Sequence, residues 1–315
     1  MSNANLKIER SPIKVLWLDT GCIWKLDMPA WQKIAKLVLE EKIVVVDTGQ
    51  LAEMRERYAS GSITLNDASK VKLATYEAIV GEFIATDHSS FLSKEIKSAM
   101  EYYVKGESQP KYDFFDLFDG FMQDLIPLLD ELNKIYQTKW GTARAFKTLS
   151  TDIVTDWKTL RQDAKNRKQT FEARRKEELL GMYEAIDNVS KSSNLLRKKN
   201  LLGHYLKRWK KASGNDDLVQ MLEFFKSEYY QTIPYVDIHS LLISDLIVGN
   251  EEPRPSDYFD VVMISMILPF ADFMVVDGPM RNRIVNQVKL VKPKGQYDCK
   301  IILPKDLEVD LDSIK

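Results

Sequence analysis

Residues 256–277, SDYFDVVMISMILPFADFMVVD, decide the fold. The stretch opens with Asp257 and Asp260, three apart and so on one face of a helix. Val261 to Leu268 is almost wholly apolar, as a buried helix would be, and Pro269 stops it and forces the chain into a strand. That strand, within Asp272 to Asp277, ends in an acid. One carboxylate at a helix N-terminus complements the dipole and the unpaired N–H groups there. Two acids opening a buried helix, with another closing the next buried strand, exceed what capping requires. Working outward, the same form recurs in Ile13 to Asp19 (IKVLWLD) and in residues 42–47 (KIVVVD). Between them PAWQKIAKLVLEE reads as a helix, with Pro29 in its first turn and Trp31, Ile34, Leu37 and Val38 on one face. Continuous apolar runs joined by helices predict an α/β fold with a parallel sheet covered on both faces. Ligands of such sheets bind beyond the carboxyl ends of the strands, where all three runs place an Asp.

The middle of the chain reads differently. From about 65 to 232 no strand is expected, and Phe118, Phe121, Leu125, Leu128, Leu129 and Leu132 recur at helical spacings. Residues 149–186 read as one or two long charged helices, with breaks at Gly203 and Gly214 beyond them. The expected organisation is a discontinuous core, 13–90 and 233–310, interrupted by a helical insertion at 91–232. A chain of 315 residues, 44% hydrophobic and 29% charged, needs no disulfide or metal to build that core. Cys22 and Cys299 exclude a disulfide scaffold and a CxxC zinc site, and three histidines are too few for a zinc-hydrolase constellation. No apolar run is long enough for a membrane helix, and MSNANLKIER has no apolar signal core, which together predict a reducing cytoplasm and no membrane partner. GxGxxG and Walker-type phosphate motifs are absent, and Asp19, followed by Thr-Gly, opens no DxD phosphotransferase motif.

Three acids need two readings each. Asp19 follows an apolar strand and is either a ligand at the sheet edge or an N-cap. Asp47-Thr48 would cap the helix of TGQLAEMRERYA, leaving Glu53 inward beside Leu51 or outward with Arg55. Taken with SDYFD…LPFADFMVVD, the Asp-Thr at 19–20 and the helical Glu53 make the chain resemble the PIN-domain nucleases, nearest the large stand-alone bacterial PIN-like type. The resemblance covers the two flanks, about half the chain. It implies a three-layer α/β/α core in which carboxylates hold Mg²⁺ or Mn²⁺ and cleave phosphodiesters. Its ligands would fall on Asp19, Glu53, Asp260 and Asp277, with Asp257 and Asp272 as auxiliary acids and Asp47 as a substitute ligand. The sequence departs from the pattern at Gly21, Val275, Val276 and Gly278, where polar residues are usual.

The formal net charge of −1 conceals a segregation. Residues 158–211 carry sixteen basic and six acidic side chains, a local +10, leaving −11 elsewhere. Arg174, Arg175, Lys176, Arg197, Lys198, Lys199, Lys207, Arg208 and Lys210, interleaved with Tyr205 and Trp209, suit neutralisation of a polynucleotide backbone with base stacking. Solvated helix faces, or a contact in a homo-oligomer, read equally well. Arg281 and Arg283 follow the last acid closely enough to reach a phosphate or merely to cover a helix. The aromatic-acidic run Tyr112–Asp119 and the thiol of Cys22 read as core packing. The functional expectation is a divalent-metal-dependent RNA endonuclease, with an inhibitory protein as a conceivable partner. The alternative is a non-catalytic PIN-like scaffold that binds nucleic acid or a protein through its helical insertion.

Overall fold

The computed structural model describes residues 7–59, 66–81, 83–85, 88–107, 110–120, 142–193, 201–250, 252–289, 297–312 and 314. Its strands are β1 (Lys7–Glu9), β2 (Lys14–Leu18), β3 (Ile43–Val46), β4 (Lys111–Asp113), β5 (Phe273–Val275) and β6 (Lys300–Ile302). The main sheet is parallel throughout, ordered β3-β2-β5-β6, with Leu16 opposite both Val45 and Phe273. The helices of the first half are α1 (Thr20–Ile23), α2 (Met28–Leu39), α3 (Gln50–Ala59), α4 (Asp67–Val80), α5 (His88–Lys105) and α6 (Phe114–Leu117). Those of the middle are α7 (Thr142–Asn166), α8 (Phe171–Lys191), α9 (Gly203–Ser213), α10 (Leu218–Lys226) and α11 (Glu228–Gln231). The last are α12 (Pro234–Val248), α13 (Pro255–Ile267), α14 (Gly278–Arg283) and α15 (Leu307–Asp312).

Alternation along β2 divides the core. Leu16 and Leu18, with Ile43, Val45, Val275 and Ile302, pack against Trp31, Ile34 and Leu37 of α2, Tyr76 and Val80 of α4, and Leu307 and Leu311 of α15. Val15 and Trp17, with Val46, Met274 and Val276, face the other way, into a larger core shared with α5, α12 and α13. Both faces are therefore covered, which is why the strands read as unbroken apolar runs. The predicted helix 29–41 is α2, with the Asp27 carboxylate accepting from Ala30 N at 3.0 Å. Pro269 lies in the turn that separates α13 from β5, as expected.

The middle segment is not a body of its own. Val154 and Trp157 of α7, Ile186 of α8, Trp209 of α9 and Phe224 of α10 belong to the same apolar core as Val15 and Trp17 of the sheet. The largely buried α12 packs against α7, α8 and α13 and joins the middle helices to the rest of this core. The two long helices are α7 and α8, and Gly214 ends α9 at a φ of 78° that a glycine adopts without strain. The expectation of no strand between 65 and 232 is corrected by β4, which pairs with β1 in a separate two-stranded parallel sheet. Lys-Tyr-Asp carries no apolar run, so only its partner defines it. Of the run at 118–132, Phe118 is buried and residues 121–132 lie outside the described residues.

Trp209 is 1% exposed, its indole N–H donates to Asn215 Oδ1 at 3.2 Å, and its ring packs beside Tyr103 and Phe224. A Trp209→Phe variant should therefore lose about 1–2 kcal/mol in a urea melt through lost packing area. A base-stacking tryptophan would leave the melt unchanged.

Candidate active site

β2 lies between β3 and β5, so the acids that follow these three strands come out side by side on one edge. Asp19 N donates to Val275 O at 2.9 Å, carrying the β2–β5 pairing one step past the end of β2. Asp277 is the N-cap of α14, and its Oδ1 accepts from Met280 N at 3.0 Å. Glu53 stands in the first turn of α3, and the buried Thr20 hydroxyl donates to its Oε2 at 2.6 Å. Glu53 thus turns toward Asp19, the inward of its two readings. Asp260 joins from α13.

These four carboxylates share one electrostatic neighbourhood. Burial, then the charges of Glu53 and Asp277, push the Asp19 carboxyl up to about 6. Burial pushes Asp260 well above the ordinary carboxylate range, reinforced by Asp19, Glu53, Asp257 and Asp277. The Cys22 thiol donates to Asp19 while burial holds its own proton in place, so Cys22 is a buried packing residue and no nucleophile. Among the described residues no three Asp, Glu, His or Cys side chains form a ready metal-holding group. Gly21 has a local reason, since a Cβ there would sit 3.1 Å from Asp19 Oδ2 and crowd the carboxylate. Val275 and Val276, where polar residues were expected, are fully buried and pack on opposite faces of the sheet.

The remaining acids have structural tasks. Asp47 is 1% exposed; its Oδ1 accepts from Gly49 N at 2.8 Å, and its Oδ2 from Leu51 N at 2.9 Å and Tyr76 Oη at 3.0 Å. This corrects its reading as a substitute ligand, because three donors already occupy it. The same bonds confirm that it opens α3. Gly49 fits there for two reasons: its φ is 128°, and a Cβ would meet Met263 Cε at 3.3 Å. Asp272 precedes β5 and lies at the opposite, amino edge of the sheet. Its Oδ2 accepts from Val15 N and its Oδ1 from Lys14 Nζ, each at 2.9 Å, which corrects its reading as an auxiliary acid. Asp257 closes a capping box with Arg254 N at 2.7 Å, and its charge is one of those that raise Asp260. Arg283 lies between Asp257 (3.3 Å) and Asp245 (3.4 Å) at 11% exposure, so it ties α12, α13 and α14 together instead of reaching for a phosphate.

Several cations of the basic stretch are also structural. Arg174 is buried and paired with Glu177 and Glu178. Arg175 donates to the buried Asp237 at 2.6 Å. Tyr205 is buried, with the Arg208 guanidinium 6.0 Å from its ring centre, and Lys210 pairs with Asp216 at 3.3 Å. These contacts correct the stacking roles of Tyr205 and Trp209 and the phosphate roles of Arg174 and Arg175. Lys176, Lys207, Lys211 and Arg281 are exposed, and Arg197, Lys198 and Lys199 lie outside the described residues. Two residues at the site carry no functional signal in the sequence. Thr20 read only as a helix start, and Asp245 carried no signal because its partner Arg283 is distant in the chain. The chain matches no protein-family model, no curated protein and no solved structure. No described helix is long and apolar enough to cross a membrane.

Proposed function

We propose that this chain is a divalent-metal-dependent endonuclease with a PIN-like three-layer core, acting on RNA. The observation that carries the reading is that Glu53 and Asp277 raise Asp19, and Asp19, Glu53 and Asp277 all raise Asp260, where the carboxyl ends of β2 and β5 meet α3 and α13. Carboxylates gathered and partly desolvated in this way repel one another, and a hard cation relieves that repulsion. An all-oxygen donor set without histidine fits Mg²⁺ or Mn²⁺ and not zinc. When bound, such an ion lowers the pKa of a water and neutralises charge on the phosphoryl oxygens.

The chain's own residues set the geometry. The Thr20 hydroxyl holds Glu53 toward Asp19, the Met280 N–H holds Asp277, and Arg283 fixes the helix bearing Asp260 against the helix that Asp277 caps. The exposed lysines of residues 158–211 favour a polyanionic substrate. The choice of RNA follows the family resemblance. The test is a calorimetric titration with Mn²⁺ alongside cleavage of a single-stranded RNA oligonucleotide. Binding, with cleavage lost on adding a chelator, is expected. Absence of Mn²⁺ and Mg²⁺ binding would leave the non-catalytic scaffold as the reading.

A further inference from the structure

A cleft of about 470 Å³ opens between α5, β4 and α6, away from the acids described above. Glu95 and Tyr112 line it, and they are 1% and 2% exposed. Glu95 Oε2 accepts from Tyr235 N at 3.1 Å, but Glu95 Oε1 and the Tyr112 hydroxyl have no hydrogen-bond partner among the described residues. Buried polar atoms are nearly always satisfied, and a pair left open beside a cleft calls for a missing group. Burial pushes the Glu95 carboxyl up to about 8, and only the Tyr235 N–H opposes this. The titratable groups that feel Glu95 are Tyr112, Tyr235 and Tyr297, all raised by burial, and among the described residues no cation compensates it.

The rim indicates the sign of the missing group. Its three lysines are already held by carboxylates: Lys94 by Asp119 at 2.7 Å, Lys97 by Glu101 at 3.8 Å, and Lys111 by Glu9. Asp113 and Asp116 add further negative charge, and Phe115, 49% exposed, offers a ring face of the kind that attracts organic cations. An anion would meet this excess of carboxylate, and a neutral ligand would gain nothing from it, whereas a cation is drawn to the rim and favours the ionised form of Glu95.

We propose that this cleft binds a small organic ammonium ion whose head group donates to Glu95 Oε1 and to the Tyr112 hydroxyl oxygen. The site is independent of the nuclease reading. It also accounts for keeping an unsatisfied carboxyl in the core, since binding sites commonly trade stability for function.

Putrescine is the probe, titrated calorimetrically into the full chain at pH 8.5, above the value of about 8 to which burial pushes the Glu95 carboxyl. The neutral isostere 1,4-butanediol is the control. Putrescine should bind and butanediol should not. Glu95→Gln should weaken putrescine at least tenfold and Tyr112→Phe severalfold. Glu95→Gln keeps the side-chain size and removes a buried charge, so its melting temperature should equal or exceed that of the parent. No putrescine binding to the parent chain, or equal binding to Glu95→Gln, overturns the proposal.

Discussion

Replacing Asp19 and Asp260 together with Asn should reduce RNA cleavage by about a thousandfold or more while making the metal-free protein harder to unfold. The first effect follows from the chemistry proposed for the site. Metal-assisted charge stabilisation contributes several kcal/mol to phosphodiester cleavage, and about 4 kcal/mol corresponds to a thousandfold in rate. The second follows from the electrostatics of the metal-free protein. Asp19 is raised from 3.8 to about 6 by burial and by its acidic neighbours, and burial and the same neighbours raise Asp260 well above the ordinary carboxylate range. Each shift is free energy with which the fold opposes ionisation, at about 1.4 kcal/mol per pKa unit. Neutral amides of the same size relieve it, so a urea melt at pH 7 without divalent ions should show a gain of about 1–3 kcal/mol. Mn²⁺ should stabilise the parent and not the variant. Undiminished cleavage by the double variant would end the nuclease assignment. A double variant less stable than the parent would show that the acids do not crowd one another.

Asp47→Ala should behave in the opposite way, destabilising the protein by about 3–5 kcal/mol with little change in Mn²⁺ affinity of the folded chain. Gly49 N, Leu51 N and Tyr76 Oη all donate to this carboxylate in the core. Leaving one buried donor unsatisfied costs about 1–3 kcal/mol, and here three lose their acceptor together. Asp47→Asn keeps one acceptor oxygen and should lose roughly half as much. Denaturant melts and calorimetry on the same samples separate the two roles. A large drop in Mn²⁺ affinity with unchanged stability would restore Asp47 to the ligand set.

Asp19 and Asp47 look alike in the sequence, each ending an apolar strand and followed by Thr-Gly. Their fates differ because of what stands opposite. Tyr76 of α4 and the first N–H groups of α3 reach Asp47, whereas Asp19 meets the carboxylates of Glu53 and Asp277. The same holds for cations. Arg175 looks as free as Lys176, but helical phase turns Arg175 onto Asp237 of α12 and leaves Lys176 in solvent. Nothing local distinguishes the members of such pairs.

What the sequence determined by itself is periodic or punctuated. Unbroken apolar runs required a sheet covered on both faces, Pro269 separated helix from strand, and Gly214 closed α9. These follow from burial and backbone geometry within a few residues, which a linear chain records. What only the tertiary structure decided are relations between residues distant in the chain: the pairing of β1 with β4, the absorption of the middle helices into the sheet's own core, and the burial of Tyr205 and Trp209. Hydrogen-bond partners and compensating charges are properties of pairs, and here one partner is often more than fifty residues from the other, as with Arg175 and Asp237. An acid's residue type and spacing made it a candidate. Its neighbours in the fold decided whether it caps a helix, pairs with an arginine or joins the cluster beyond β2 and β5.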